Sequence, residues 1–247
     1  MTSPDGDTPV AIVTGGGSGI GRATALLLAR EGYTLVLVGR TREKLDETAR
    51  RIVAEGRGGE PPLVLPADLA RSGEAFGVID EVLHRQRRLD ALVNNAGWGW
   101  LRPISETDLA LLEATFAINF FSAANLILRA WPAFLRQRAA CVVNVSSGAA
   151  HDPFPGFFAY AASKAAMESL GRSIAAEAAE LGLSGIRAYS VAPGAVETPL
   201  LRSVFAESVV PRAKTMRPLD IAGPIRDCVL GKAPVPNGGT VLIRGPA

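Results

Sequence analysis

The chain has 247 residues, 48% of them apolar, and a formal net charge of +2. That suits one large α/β domain with a sizeable core and excludes the basic footprint of a nucleic-acid or anionic-membrane binder. The polar, acidic start MTSPDGDTP does not read as a signal peptide, and no apolar run is expected to span a bilayer.

Val10–Thr14, continuously apolar, reads as a buried strand, and Gly19–Glu31 as the helix after it. Thr34–Val38 is the next strand and Thr41–Glu55 the next helix. A short strand at Leu63–Pro66 precedes a helix at Ser72–Arg87, and Ala91–Asn94 is again a strand. Ser105–Arg129 is expected as one long helix, about 37 Å at the usual rise. Cys141–Ser146 and Gly185–Ala192 read as strands on either side of a helix at Phe157–Leu181. Residues 197–216 are expected as a loop with short helices covering a substrate. Pro218–Leu230 is a helix and Thr240–Ile243 the last strand. Residues 1–8 are expected to be flexible, and residues 1–247 to form a single domain.

Regular alternation of strand and helix predicts a Rossmann-like, doubly wound α/β fold: a mostly parallel sheet with helices on both faces. Right-handed crossovers leave the carboxyl ends of the strands along one edge, where ligands bind near the switch point. Cys141 and Cys228 lie far apart in apolar segments and read as reduced core thiols of a cytoplasmic protein. His84 and His151 are too few and too separated for zinc, so no metal is expected.

The first strand is followed by TGGGSGIG, Thr14 to Gly21. Glycines let the backbone turn tightly and approach a phosphate, and the next helix offers free N–H groups to a pyrophosphate. The candidate contacts are Thr14, Gly15, Gly17, Ser18, Gly19, Ile20 and Gly21. About 20 positions on, an acidic residue would bond the adenosine ribose of NAD. VGRTR stands there instead, and Arg40, Thr41 and Arg42 suit a 2′-phosphate. NADP is therefore expected as cofactor, with NAD the alternative.

The chain resembles the short-chain dehydrogenase/reductase family, compact type, over about Pro9 to Ile243. The glycine turn is similar to that family's nucleotide loop, and ADL at Ala67–Leu69 to its adenine-contacting turn, with Asp68 and Leu69 as contacts. NNAG, containing Asn95, Ala96 and Gly97, resembles the motif after the fourth strand. INF places Asn119 where the family has a catalytic asparagine. NVSS matches the serine motif, and Ser147 stands 13 positions before Tyr160, the family spacing. YAASK matches Tyr-x-x-x-Lys. PGAVET resembles the segment along the nicotinamide, with Pro193, Gly194, Val196 and Thr198 as contacts.

Tyr160 and Lys164, four apart in an alanine-rich helix, share one face. A free phenol with a pKa of about 10 is a poor proton shuttle at neutral pH, and a nearby cation is expected to lower it. Tyr160 is then the acid for carbonyl reduction and the base for alcohol oxidation. Ser147 would donate to the carbonyl oxygen. The resemblance further implies that Lys164 holds the nicotinamide ribose and that Asn119 positions a water linking Lys164 to solvent.

Trp98, Trp100, Phe154, Phe157, Phe158, Leu200, Leu201, Val204 and Phe205 are expected around a largely nonpolar ketone or secondary alcohol. Many relatives, 3-oxoacyl-carrier-protein reductases among them, finish the last strand with Asp-Gly-Gly. Here NGGTVLIRGPA ends differently, which weakens the carrier-protein analogy and tail-mediated tetramer contacts. A homodimer or homotetramer with two-fold symmetry is still expected from the long helices. The competing readings are an NAD-linked alcohol dehydrogenase and a non-catalytic nucleotide-binding regulator.

Overall fold

The computed structural model describes residues 8–56 and 60–246. The expectation of a flexible start falls on residues 1–7, outside the described residues, and on Thr8.

Seven strands form one sheet in the order β3-β2-β1-β4-β5-β6-β7. They are β1 (Val10–Thr14), β2 (Thr34–Gly39), β3 (Leu63–Pro66), β4 (Ala91–Asn94), β5 (Ala140–Val145), β6 (Ile186–Pro193) and β7 (Thr240–Ile243). Every pairing is parallel. The architecture is the doubly wound, Rossmann-like one, and the sheet is wholly rather than mostly parallel. The chain winds outward from β1 to β3, then returns to β4 beside β1. The switch point therefore lies between the carboxyl ends of β1 and β4.

Strand side chains alternate between two cores, as a two-residue period requires. Val10 and Ile12 join the core that includes Val78, Leu126, Phe134 and Ile174. Those residues come from α3 (Ser72–Gln86), α5 (Ser122–Gln137) and α6 (Phe158–Glu180). Ala11 and Val13 face the opposite core, built on α1 (Gly19–Arg30), α2 (Arg42–Ala54) and α8 (Pro218–Val229). In α2 the buried residues are Leu45, Thr48 and Ile52, one stripe of an otherwise charged helix.

The largest departure from the sequence reading is the expected helix Ser105–Arg129. Residues Ile104–Glu106 form a separate short turn, and α4 begins at Leu109, where the Asp108 carboxylate accepts from Leu111 N–H at 2.7 Å. After α4 (Leu109–Phe116) the winding loosens into a π-helical turn at Ala117–Phe121 and tightens again in α5. The helix then passes Arg129 and an internal Pro132 and stops at Arg138, whose φ is 56°. The whole stretch Leu109–Gln137, 29 residues, is long and apolar enough by length and composition to cross a membrane. That corrects the expectation that none is. In this fold Leu126, Ala130 and Phe134 of that stretch are packed in the core, and Arg129 pairs with Asp80 of α3.

Candidate active site

The carboxyl ends of β1, β4, β5 and β6 converge on two adjoining cavities, which share Gly97. The larger is about 850 Å³ and the smaller about 200 Å³.

The switch point is fastened by Thr14. Its hydroxyl donates to Val93 O and accepts from the backbone N–H groups of Asn95 and Ala96, each at 2.9 Å. Asn95 Nδ2 donates back to Thr14 O. Thr14 is thus a buried strut beneath the glycine-rich loop rather than part of a cavity wall. Gly15 and Gly19 have φ of 64° and 51°, the left-handed region that glycine adopts without a Cβ clash. At Gly21 a Cβ would lie 2.3 Å from Gly15 O, so the helix can start this close to the loop only with glycine. Ser18 leaves the N-terminus of α1 without a side-chain cap, so the first N–H groups of α1 lack that partner beside the cavities. Arg22, which the sequence reading missed, donates to Gly17 O and pairs with Glu47 of α2, bracing the loop from behind.

Gly15, Gly17, Ser18, Ala96 and Leu69 line the smaller cavity with Arg40 and Thr41. Arg42 does not reach it; it opens α2 with its side chain 3.6 Å from Asp46. Lys44, two residues further on and unremarked in the sequence, is the second basic residue of this wall. No carboxylate is among the described residues lining the smaller cavity. Asp68 also falls outside it, because its carboxylate accepts from Ala70 N–H at 3.2 Å and faces Arg71.

Ile20, Asn95, Ser147, Tyr160, Lys164, Pro193, Gly194, Val196 and Thr198 line the larger cavity. Ser147 follows β5 in extended backbone and hydrogen-bonds Tyr160, one turn into α6. Burial pushes the Tyr160 phenol up, the Ser147 hydrogen bond pulls it down, and burial wins. Lys164 is 4% exposed, donates to Val145 O at 2.9 Å and sits 5.8 Å from the Tyr160 ring centroid. Burial pulls its ammonium down to about 8. The expected lowering of the phenol by the lysine is therefore absent here. The same desolvation that raises the phenol weakens the cation.

Asn119 lies on the π-helical turn and is fully buried. Its carboxamide accepts from Trp98 N–H at 2.8 Å and donates to Trp98 O and Ser163 Oγ. Ser163 in turn donates to Tyr160 O. The side chain is thus spent on holding the Trp98 loop against α6, outside both cavity walls. A Cβ on Gly97 would stand 3.2 Å from Asn119 Oδ1 and 3.3 Å from Lys164 Nζ, so only glycine leaves this corner open.

Six of the nine expected apolar residues line the larger cavity: Phe154, Phe157, Leu200, Leu201, Val204 and Phe205. Trp98, Trp100 and Phe158 do not. Gly97 and Gly99 present the backbone of that loop instead, the two indoles pack edge to face on each other, and Phe158 is exposed on the outside of α6. The cover is α7 (Pro199–Val204), capped by Thr198, with Arg202 held to Glu197 and Val210 O.

The residues match the short chain dehydrogenase family over positions 9–208. The chain belongs to that family. It is 34% identical over 223 residues to an uncharacterized oxidoreductase of Mycobacterium bovis, covering 90% of this chain and 64% of that relative's own length. It is 30% identical to an Arabidopsis thaliana protein named NADPH-dependent aldehyde reductase 1, chloroplastic, covering 94% of this chain and 86% of the relative. A crystal structure of 3-ketoacyl-(acyl-carrier-protein) reductase from Brucella melitensis, complexed with NADH, superposes with a TM-score of 0.85. That structure shares 24% identity and covers 96% of this chain and 97% of its own. This likeness speaks for the fold alone. The chain spans less than two thirds of the length of the mycobacterial relative it matches.

Proposed function

We propose that the protein is an NADP(H)-dependent oxidoreductase acting on a largely nonpolar ketone or secondary alcohol, with Tyr160 as general acid and base. The observation that carries this reading is that hydrogen-bonded Tyr160 and Ser147 share one cavity with Lys164, directly beside the uncapped N-terminus of α1.

The donor set fits a dinucleotide. Loop and helix N–H groups would hold a pyrophosphate, and Arg40 with Lys44 would hold a 2′-phosphate, with no competing carboxylate on the described wall. This is also the cofactor in the Arabidopsis relative's name. A nicotinamide dinucleotide supplies the hydride chemistry. In reduction, Tyr160 holds the proton at Oη and delivers it to the carbonyl oxygen as charge grows there. Ser147 donates a hydrogen bond to the same oxygen. A phenol kept protonated by burial suits the acid role, and alcohol oxidation needs it deprotonated. Lys164, whose ammonium at about 8 still carries its proton at neutral pH, provides the positive charge that favours the phenolate. Asn119 acts by fixing the Trp98 loop and, through Ser163, the start of α6. Phe154, Phe157, Val204 and Phe205 exclude water and receive apolar substrate surface. The proposal includes a cytoplasmic two-fold oligomer, formed through the exposed Phe121 and Leu128 of the long helix.

The test is a ketone and alcohol panel followed by absorbance of the reduced nicotinamide. Tyr160→Phe is expected to lower turnover at least about a hundredfold while dinucleotide binding persists. Near-normal turnover in that variant overturns the assignment.

A further inference from the structure

Behind the serine motif lies a buried carboxylate that the reaction above does not use. Glu168 of α6 is 4% exposed. Its Oε1 accepts from Ser146 Oγ at 2.8 Å and bonds His151 Nε2 at 2.9 Å, and its Oε2 accepts from Thr240 Oγ1 at 3.2 Å. Ser146 Oγ also lies 3.1 Å from Lys164 O, and with its one proton directed along the shorter contact to Glu168 all three neighbours donate, which suits an acceptor-only, ionised carboxylate. The carboxylate then draws the histidine proton to Nε2, and in the neutral ring Nδ1 is left as an acceptor. Among the described residues Nδ1 has no hydrogen-bond partner. The His151 side chain is 40% exposed and belongs to the wall of the larger cavity, together with Ser147 and Tyr160.

The surrounding wall is largely apolar, with Asp152 and Arg244 as charged residues that line it in addition to His151 and Lys164. Phe154 and Phe157 pack at 4.4 Å between centroids with their rings tilted by 37°, and Phe205 closes on both. Beside such apolar surface an oriented acceptor discriminates between ligands that offer a hydrogen and those that do not. We infer that His151, oriented by Glu168, is a specificity-determining residue that accepts a hydrogen bond from a second hydroxyl of the substrate, away from the reacting carbon. The substrate class is thus narrowed to an apolar hydroxy ketone, or the corresponding diol. The inference rests on the oxidoreductase reading above and names the substrate class of that site.

The experiment compares three ketones of one skeleton, bearing at the same remote position a hydroxyl, a methyl or a carboxylate. The wild type is expected to prefer the hydroxy ketone over its methyl analogue by about fivefold or more in kcat/KM. His151→Leu should bring that ratio close to one, and Glu168→Gln, which frees the ring to change tautomer, should reduce it. A ratio unchanged in His151→Leu overturns the inference. So does a preference for the carboxylate that is lost in the same variant, since that needs a donor on the ring. With only two histidines in the chain, ¹⁵N-histidine NMR reads His151 directly. The Nε2–H tautomer, and a shift of Nδ1 on adding the hydroxy ketone but not the methyl one, are expected. An Nδ1–H tautomer, or no selective shift, refutes the assignment. If the wild type reduces none of the three ketones, the oxidoreductase reading falls, and the NMR result still decides the role of His151.

Discussion

Replacing Lys164 with methionine removes a charge from the middle of the site while keeping the length of the side chain. The ammonium is 4% exposed, and burial pulls its pKa from 10.5 to about 8. A shift of that size disfavours the charged lysine in the folded protein by about 3 kcal/mol. The folded value lies below the unfolded one, so between pH 8 and 10.5 the unfolded chain binds more protons. Wild-type stability therefore rises with pH across that window, and the full penalty stands at neutral pH. Methionine abolishes the penalty but leaves Val145 O without the donor now 2.9 Å away, a loss of about 1–2 kcal/mol. Lys164→Met should accordingly be about 1–2 kcal/mol more stable than wild type at neutral pH and less stable by a similar amount near pH 10.5. Urea unfolding followed by tryptophan fluorescence, without dinucleotide, measures both ends. A stability difference that does not vary with pH would show that the lysine is not desolvated. Turnover should fall in the same variant, as expected where a functional charge is held against its own solvation.

Two further expectations concern the nucleotide side. Arg40→Ser combined with Lys44→Ala should raise KM for NADPH by about tenfold or more while leaving KM for NADH nearly unchanged, because the 2′-phosphate loses both cations. Steady-state kinetics with the two cofactors decides it, and an equal loss for both would remove the case for NADP. Gly21→Ala would place a methyl 2.3 Å from Gly15 O. The loop must then move, and a loss of about 1–3 kcal/mol in stability is expected with weaker dinucleotide binding. Thermal unfolding with and without NADPH checks this, and unaltered binding would mean that the loop does not need its present approach to α1.

The parts legible in the sequence are those whose cause is local. Val10–Thr14 announces itself by continuous apolar character, and the glycines by the backbone they permit. A parallel sheet follows from the alternation alone. Arg40 and Thr41 also stand where the strand end must put them. The misreadings come where two elements meet in space. Arg42 was named beside Arg40 and Lys44 was not considered, but the first turn of α2 carries Arg42 away toward Asp46 and brings Lys44 to the cavity. Asp68 was assigned to an adenine contact, yet its carboxylate accepts from Ala70 N–H on its own turn. No signal near Arg129 says that the helix continues, since Pro132 argues for a stop and burial of Phe134 overrides it.

Asn119 shows why such errors concentrate at the site. In an unbroken α-helix, the apolar pattern around INF gives no reason for a buried amide. The π-helical turn sets that amide against the Trp98 backbone and Ser163, leaving all its polar atoms satisfied. The amide thus links two segments far apart in the chain, the loop after β4 and the start of α6, which carries Tyr160. Glu168 does the same on the other side, tying Ser146, His151 and Thr240 to α6. Tyr160 is therefore held between two buried polar anchors, each costly to leave unpaired. That precision, rather than the phenol's own acidity, is what the cofactor-free fold contributes to the site. Burial keeps the phenol protonated, and the network keeps its oxygen at the cavity wall beside Ser147.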